Sequence, residues 1–177
     1  IYPKIMGPQS QAIKSLKSQK INMLHLVPKK PFWENDGMSP NMYTDQLAGM
    51  ILSQRQASSP EKVDSLTVWL RGPIAERLDR MDQNEAIASV IQSIEDLRPS
   101  AKGQLEVAAY HSWFLNPYSK GDWAYWAPGQ IKEFGREISK PHHRLHFCGE
   151  HTAIANRGME GALESGERAF FEILDLG

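Results

Sequence analysis

The stretch from Arg144 to Leu174, which opens R-L-H-F-C-G-E-H-T and runs on through R-G-M-E-G-A-L-E-S-G-E-R-A, constrains the fold more than any other part of the chain. Leu145, His146, Phe147 and Cys148 read as a short buried strand ending at Gly149, where a missing side chain lets another backbone or a ligand come close. Glu150 then stands at the carboxyl end of that strand, where open α/β sheets bind ligands and an acidic acceptor can hydrogen-bond sugar-like hydroxyls. A surface loop glutamate is the alternative reading.

From about Met159 a helix follows, with Gly158, Gly161, Ala162, Ser165, Gly166 and Ala169 giving it a small face at three- and four-residue spacing. Glycine inside a helix costs about 1 kcal/mol relative to alanine, so close packing against a backbone or a flat cofactor must offset it. The N-terminus of such a helix offers unpaired N–H groups and the positive end of the dipole to an anionic ligand atom.

The 177 residues suffice for a sizeable core, and 20 Lys and Arg against 21 Asp and Glu leave no dense basic block. Nucleic acid and a membrane surface are therefore not expected partners. No apolar run approaches the length of a bilayer span, and I-Y-P-K-I-M-G-P lacks the pattern of a secretory signal, so a soluble chain is expected, with a cytoplasmic location favoured. Cys148 is the single cysteine, which excludes an internal disulfide. A chain that does not begin with Met reads as a mature product or a piece of something longer.

Before this stretch the pattern is mixed. Ile21 to Val27 suits a partly buried strand closed by Pro28, and Asp45 to Gln54 has the Leu47, Met50 and Ile51 spacing of a short helix. L-T-V-W-L, Leu66 to Leu70, is a buried-strand pattern, and Pro73 suits a first helical turn. Asp82 with Glu85 resembles a capping box, after which Ile87, Val90, Ile91, Ile94 and Leu97 repeat at helical spacing up to Pro99. Leu105 to Phe114 reads as a long strand that places Val107, Ala109, His111 and Trp113 on one face.

At F-C-G-E-H-T and R-G-M-E-G-A-L-E-S-G-E-R-A the sequence resembles the flavin-containing amine oxidase family, which includes monoamine, polyamine and L-amino acid oxidases. N-P-Y-S-K-G-D-W-A-Y-W-A-P-G-Q resembles that family's aromatic segment at the flavin, and P-F-W at Pro31 to Trp33 with the following D-G matches a weaker feature. The resemblance implies an α/β fold: the C-terminal part of an FAD-binding, Rossmann-like two-domain oxidase with a mixed α+β substrate-domain portion. It implies a division into residues 1–140, a substrate-binding portion carrying the aromatic segment, and 141–177, the last strand and helix of the FAD-binding domain. The family's N-terminal G-x-G-x-x-G is absent, so the missing FAD-binding part is expected from the same protein or a separate chain, and this piece alone is expected to be inactive.

By the same resemblance, Gly149 and Glu150 lie along the ribityl and pyrophosphate part of FAD, Met159 faces the pyrimidine edge of the flavin, and Trp113 packs near its ring. Trp123 and Gly158 fall where monoamine oxidases place two aromatic residues around the substrate amine. Glycine there looks more like the L-amino acid oxidases. Asp122 stands where monoamine oxidases attach FAD through cysteine, which implies noncovalent FAD. Met23 replaces a lysine that many members hold near the flavin N5 atom, so a dehydrogenase stands open beside an oxidase using molecular oxygen. The implied reaction is hydride transfer from the carbon of an amine or L-amino acid to the flavin, giving an imine, with no catalytic side chain assigned.

Three rivals are weighed. A metal site among His142, His143, His146 and His151 is disfavoured, because His142 and His146 on an extended strand lie roughly 13 Å apart while metal bonds are about 2 Å. A flavin desaturase of the same fold and a non-catalytic interaction subunit without FAD are the others.

Overall fold

The computed structural model describes residues 4–175; residues 1–3 and 176–177, which the expected domain ranges include, lie outside the described residues. In chain order the elements are α1 (Gly7–Ser15), β1 (Lys17–Ser18), β2 (Ile21–Pro28), α2 (Trp33–Asp36), β3 (Met42–Tyr43), β4 (Met50–Gln56) and β5 (Ser59–Arg71). There follow α3 (Pro73–Leu78), α4 (Gln83–Leu97), β6 (Leu105–Ser112), β7 (Ala124–Tyr125), α5 (Gln130–Phe134) and α6 (Met159–Leu174). The chain divides into two compact units, residues 19–122 and residues 1–18 with 123–177. The boundary between the compact units falls at Trp123, because residues 123–139 pack with the N-terminal helix: Ala12 of α1 shares a core with Phe134 and Ile138.

Unit 19–122 is an antiparallel five-stranded sheet in the order β3-β4-β5-β2-β6, with its core on one face. Alternation does the sorting: Leu24 and Leu26 of β2 and Leu66, Val68 and Leu70 of β5 are fully buried. Ala86, Val90 and Ile94 of α4, spaced by four, pack into the same core. The start of α4 is set by Asp82, whose carboxylate accepts the N–H groups of Asn84 and Glu85 at 2.8 and 3.4 Å. Beyond α4, the 3 % exposed Arg98 donates to both carboxylate oxygens of Asp36 at 2.8 Å and sits over the Phe32 ring. Ser100 donates to the same carboxylate, and the two donors hold Asp36 well below the usual carboxylate range.

Two local expectations fail. Residues 45–54 form no helix: Gly49 turns at φ 61°, and β4 pairs with β5, placing Ile51 opposite Val68. An added Cβ at Gly49 would lie 2.7 Å from the carbonyl oxygen of Trp69, so sheet pairing overrides a helical spacing that spans only three apolar residues. Leu145 to Cys148 form no strand and are not buried: Cys148 is exposed, and one isolated bridge joins His142 to Leu145. A strand exists through its neighbour's hydrogen bonds, and among the described residues no named strand pairs with this segment.

In the other unit, β1 and β7 pair antiparallel, Ser18 opposite Ala124. The helix α6 sorts its small residues. Gly161, Ser165 and Ala169 are buried, whereas Met159, Leu163, Phe170 and Phe171 are exposed. A Cβ at Gly161 would collide with the Asn156 carbonyl and the Ala153 methyl, so the close approach there is made by the chain's own loop. Ser165 Oγ accepts the Gly149 N–H at 2.8 Å and donates to the Ala162 carbonyl, tying the segment before Glu150 to α6. Arg168 reinforces the joint through the carbonyl of Phe147 at 2.8 Å and the Thr152 hydroxyl at 3.2 Å. Burial alone would raise the carboxyl of Glu172, but hydrogen bonds from His146 and Arg168 hold it below its ordinary value.

Candidate active site

The unit containing α6 brings together Trp123, Gly149, Glu150, Gly158 and Met159. Glu150 opens a 3-10 turn, and its Oε1 accepts the Ala124 N–H at 2.6 Å, so this glutamate pins the backbone beside Trp123. Its other oxygen is buried without a hydrogen-bond partner; the Arg157 Nε lies 3.8 Å away, within ion-pair range only. Gly158 precedes α6 at φ 81°, a conformation that L side chains resist. A Cβ there would meet only the Trp123 indole Nε1, at 3.8 Å. Met159, the first helical residue, is 84 % exposed. Glycine beside tryptophan thus leaves an open notch at the amino end of a sixteen-residue helix.

Trp113 lies in unit 19–122, just past the end of β6. Its indole N–H donates to the Met23 sulfur at 3.2 Å, and its ring meets His111 edge-on. The register places Met50, Trp69, Met23 and His111 side by side across β4, β5, β2 and β6, on the sheet face away from the fully buried leucines. Sequence reasoning missed Trp69, Met50 and His111 as a group. The signal was present in L-T-V-W-L, whose Thr67 and Trp69 alternate with the core residues Leu66, Val68 and Leu70. Which strand stands beside it was not. Asp122 donates its backbone N–H to the Gln19 carbonyl at 3.1 Å and offers no thiol for a covalent link.

Among the described residues no helix is long and apolar enough to cross a membrane, and no group of three or more His, Cys, Asp or Glu residues is arranged to hold a metal ion.

The model of a family described as flavin containing amine oxidoreductase matches residues 2–173. Solved structures share the fold across 98 % of the chain: a redesigned putrescine oxidase at TM-score 0.81 and 20 % identity, and cyclohexylamine oxidase from Brevibacterium oxydans at 0.81 and 18 %. In each case the match covers 39 % of the solved chain. An L-amino-acid oxidase from Demansia vestigiata is 23 % identical over 94 % of this chain and 33 % of its own length. The flavin-containing amine oxidase A of Equus caballus is 28 % identical over 98 % and 34 %. The fold is that of the flavin amine oxidases, an α/β architecture of which this chain carries a part. The chain belongs to the flavin-containing amine oxidoreductase family, and the cofactor that goes with that family is FAD. It spans about a third of the length of the curated relatives it matches.

Proposed function

We propose that this chain contributes to an FAD-dependent enzyme that oxidises an amine or an L-amino acid to an imine. The observation that carries the reading is the joining of Glu150, Trp123 and Gly158: one hydrogen bond from Ala124 and one open notch unite the aromatic segment, the glutamate of the 3-10 turn and the amino end of α6. Residues 19–122 serve as substrate-domain portion and the remainder as the flavin-facing part, a division that follows the compact units.

The residues present fit a noncovalently held FAD. Glu150 keeps one buried carboxylate oxygen without a hydrogen-bond partner, an acceptor for a ribityl hydroxyl; beside it, the space that a Cβ on Gly149 would take is held by the His151 imidazole. The backbone of Met159, at the positive end of the α6 dipole, suits the edge of the ring that becomes electron-rich. Trp113 would pack near the ring. When bound, the flavin supplies the two-electron acceptor that takes the hydride from the substrate carbon.

Trp123 presents one aromatic wall to the substrate. Gly158 leaves the facing position open, with room for the side chain of an amino acid and access to backbone polar groups for its nitrogen. This favours an L-amino acid or bulky amine over a small amine caged between two rings. Met23 favours a dehydrogenase as the second reading: its sulfur is engaged by the Trp113 N–H and cannot hold a proton as a lysine does. The missing FAD-binding portion comes from the same protein or a partner chain, and residues 1–177 alone are inactive.

Anaerobic mixing of the intact protein with amino acids, simple amines and polyamines, while flavin bleaching is followed, tests the proposal. Bleaching by amino acids is expected; no bleaching by any of them overturns it.

A further inference from the structure

The face of α6 that carries Gly161 carries more than small residues. Gly161, Ser165 and Arg168 follow at i, i+4 and i+7, and all three meet the segment from Phe147 to Asn156. Close packing alone would be served by alanine at position 165. The chain has a serine there instead, fully buried in mid-helix, where alanine is the stronger helix former. A buried hydroxyl must find partners, and this one finds two: it accepts the Gly149 N–H and donates to the Ala162 carbonyl, both at 2.8 Å.

Gly149 is held from its other side as well. Its carbonyl accepts the N–H and the hydroxyl of Thr152, each at 2.9 Å, and Arg168 donates in turn to that hydroxyl and to the Phe147 carbonyl. Both peptide groups of Gly149 are thus tied by side chains, at a residue whose φ of 126° is open to glycine and resisted by other residues. The consequence falls on Glu150. With Oε1 on the Ala124 N–H, its Oε2 is shut away from solvent without a hydrogen-bond partner. An unpaired carboxylate oxygen so placed costs free energy, and a loosely held turn would relieve the cost by moving the side chain into water. Here the turn is fixed, and the oxygen stays ready for a donor that the chain's own residues do not supply.

We propose that Ser165 is a positioning residue for the cofactor: through the Gly149 N–H it locks the turn in which Glu150 keeps Oε2 available to a hydroxyl of FAD. Thr152 acts in the same way from the carbonyl side. The inference rests on the reading of Glu150 as a flavin ligand, and it gives neither Ser165 nor Thr152 a contact with FAD itself.

The intact protein is freed of FAD by dialysis against bromide, and rebinding of FAD is followed by quenching of its fluorescence. Ser165→Ala should weaken binding about tenfold. Val90→Ala, which opens a cavity in the core of unit 19–122, should lower Tm while moving the dissociation constant by less than about twofold. Because Ser165 acts through Glu150, the loss caused by Ser165→Ala should shrink to less than about threefold in a Glu150→Gln background. Should Ser165→Ala fail to fold by circular dichroism, Thr152→Val, which keeps the shape and removes the hydroxyl, is carried through the same cycle with the same expectation. Losses equal in the two backgrounds, binding unchanged in the folded variant, or a shift in Val90→Ala as large as that in Ser165→Ala overturns the proposal and leaves the flavin reading standing. Binding unchanged in Glu150→Gln alone overturns the reading of Glu150, and the proposal falls with it.

Discussion

A Cβ placed on Gly158 would lie 3.8 Å from the indole Nε1 of Trp123, ordinary van der Waals contact, while Gly158 itself holds φ 81°. Space and backbone conformation therefore make opposite demands on a substitution. Gly158→Ala should cost about 1–2 kcal/mol in chemical denaturation through backbone strain alone. Gly158→Tyr should add a loss of kcat/KM that is larger for bulky amino acids than for simple amines. Equal losses for both would remove Gly158 from substrate selection.

Two glycines of α6 differ in sign. An added methyl at Gly161 runs into the Asn156 carbonyl, whereas one at Gly166 meets nothing within 4 Å. Gly161→Ala should destabilise the protein by about 2 kcal/mol or more. Gly166→Ala should stabilise it by about 0.5–1 kcal/mol, since alanine restricts the unfolded chain and suits the helix. Thermal melts of the two variants check the pair. A destabilised Gly166→Ala would mean that another backbone packs on that flank in the intact protein.

The Arg98–Asp36 clasp makes stability depend on acidity. Hydrogen bonds from Arg98 and Ser100 depress the Asp36 carboxyl in the folded state. Its contribution is therefore complete above the usual carboxylate range, declines as the pH falls through that range, and is lost below the depressed folded value. Urea midpoints measured from neutral to acid pH should fall, and Arg98→Met should lower the neutral midpoint and flatten the profile. An unchanged slope in Arg98→Met would assign the acid sensitivity to other carboxylates.

The reading that Met23 favours an acceptor other than oxygen is tested by replacing it. Met23→Lys breaks the contact with the Trp113 N–H and places a titratable amine on the same sheet face. Reoxidation of the reduced protein by oxygen should accelerate about a hundredfold, the lower end of general acid–base effects. Stopped-flow mixing with oxygenated buffer measures it. A rate equal to the unmodified protein's would show that Met23 does not limit that step.

Much of the local structure was legible, and for local reasons. Asp82 caps α4 because its side chain lies within reach of N–H groups two and three residues ahead, and Ile94 falls on the core face by helical spacing. Residues 45–54 were misread because Leu47, Met50 and Ile51 satisfy a helix and a turn-plus-strand alike. The choice was made by residues 65–69 of β5, each more than ten residues from its partner in β4. Leu145–Cys148 has a strand's composition, but no composition supplies the neighbour whose hydrogen bonds make a strand.

The candidate site divides the same way. Gly149, Glu150, Trp123, Gly158 and Met159 stood out through a resemblance carried by contiguous motifs. That Glu150 hydrogen-bonds Ala124, and that Trp123 borders the notch at Gly158, is decided only in the folded chain.

By itself the sequence determined which residues are small, where α4 and α6 begin, and that residues 2–173 carry the pattern of a flavin amine oxidoreductase. Tertiary structure alone decided which of the small residues in α6 meet a backbone, which strands set Trp69 beside Met23, and where the chain divides into units. The physical reason is range: capping and helical periodicity act over a few residues, whereas pairing and packing depend on groups that only the folded chain brings together.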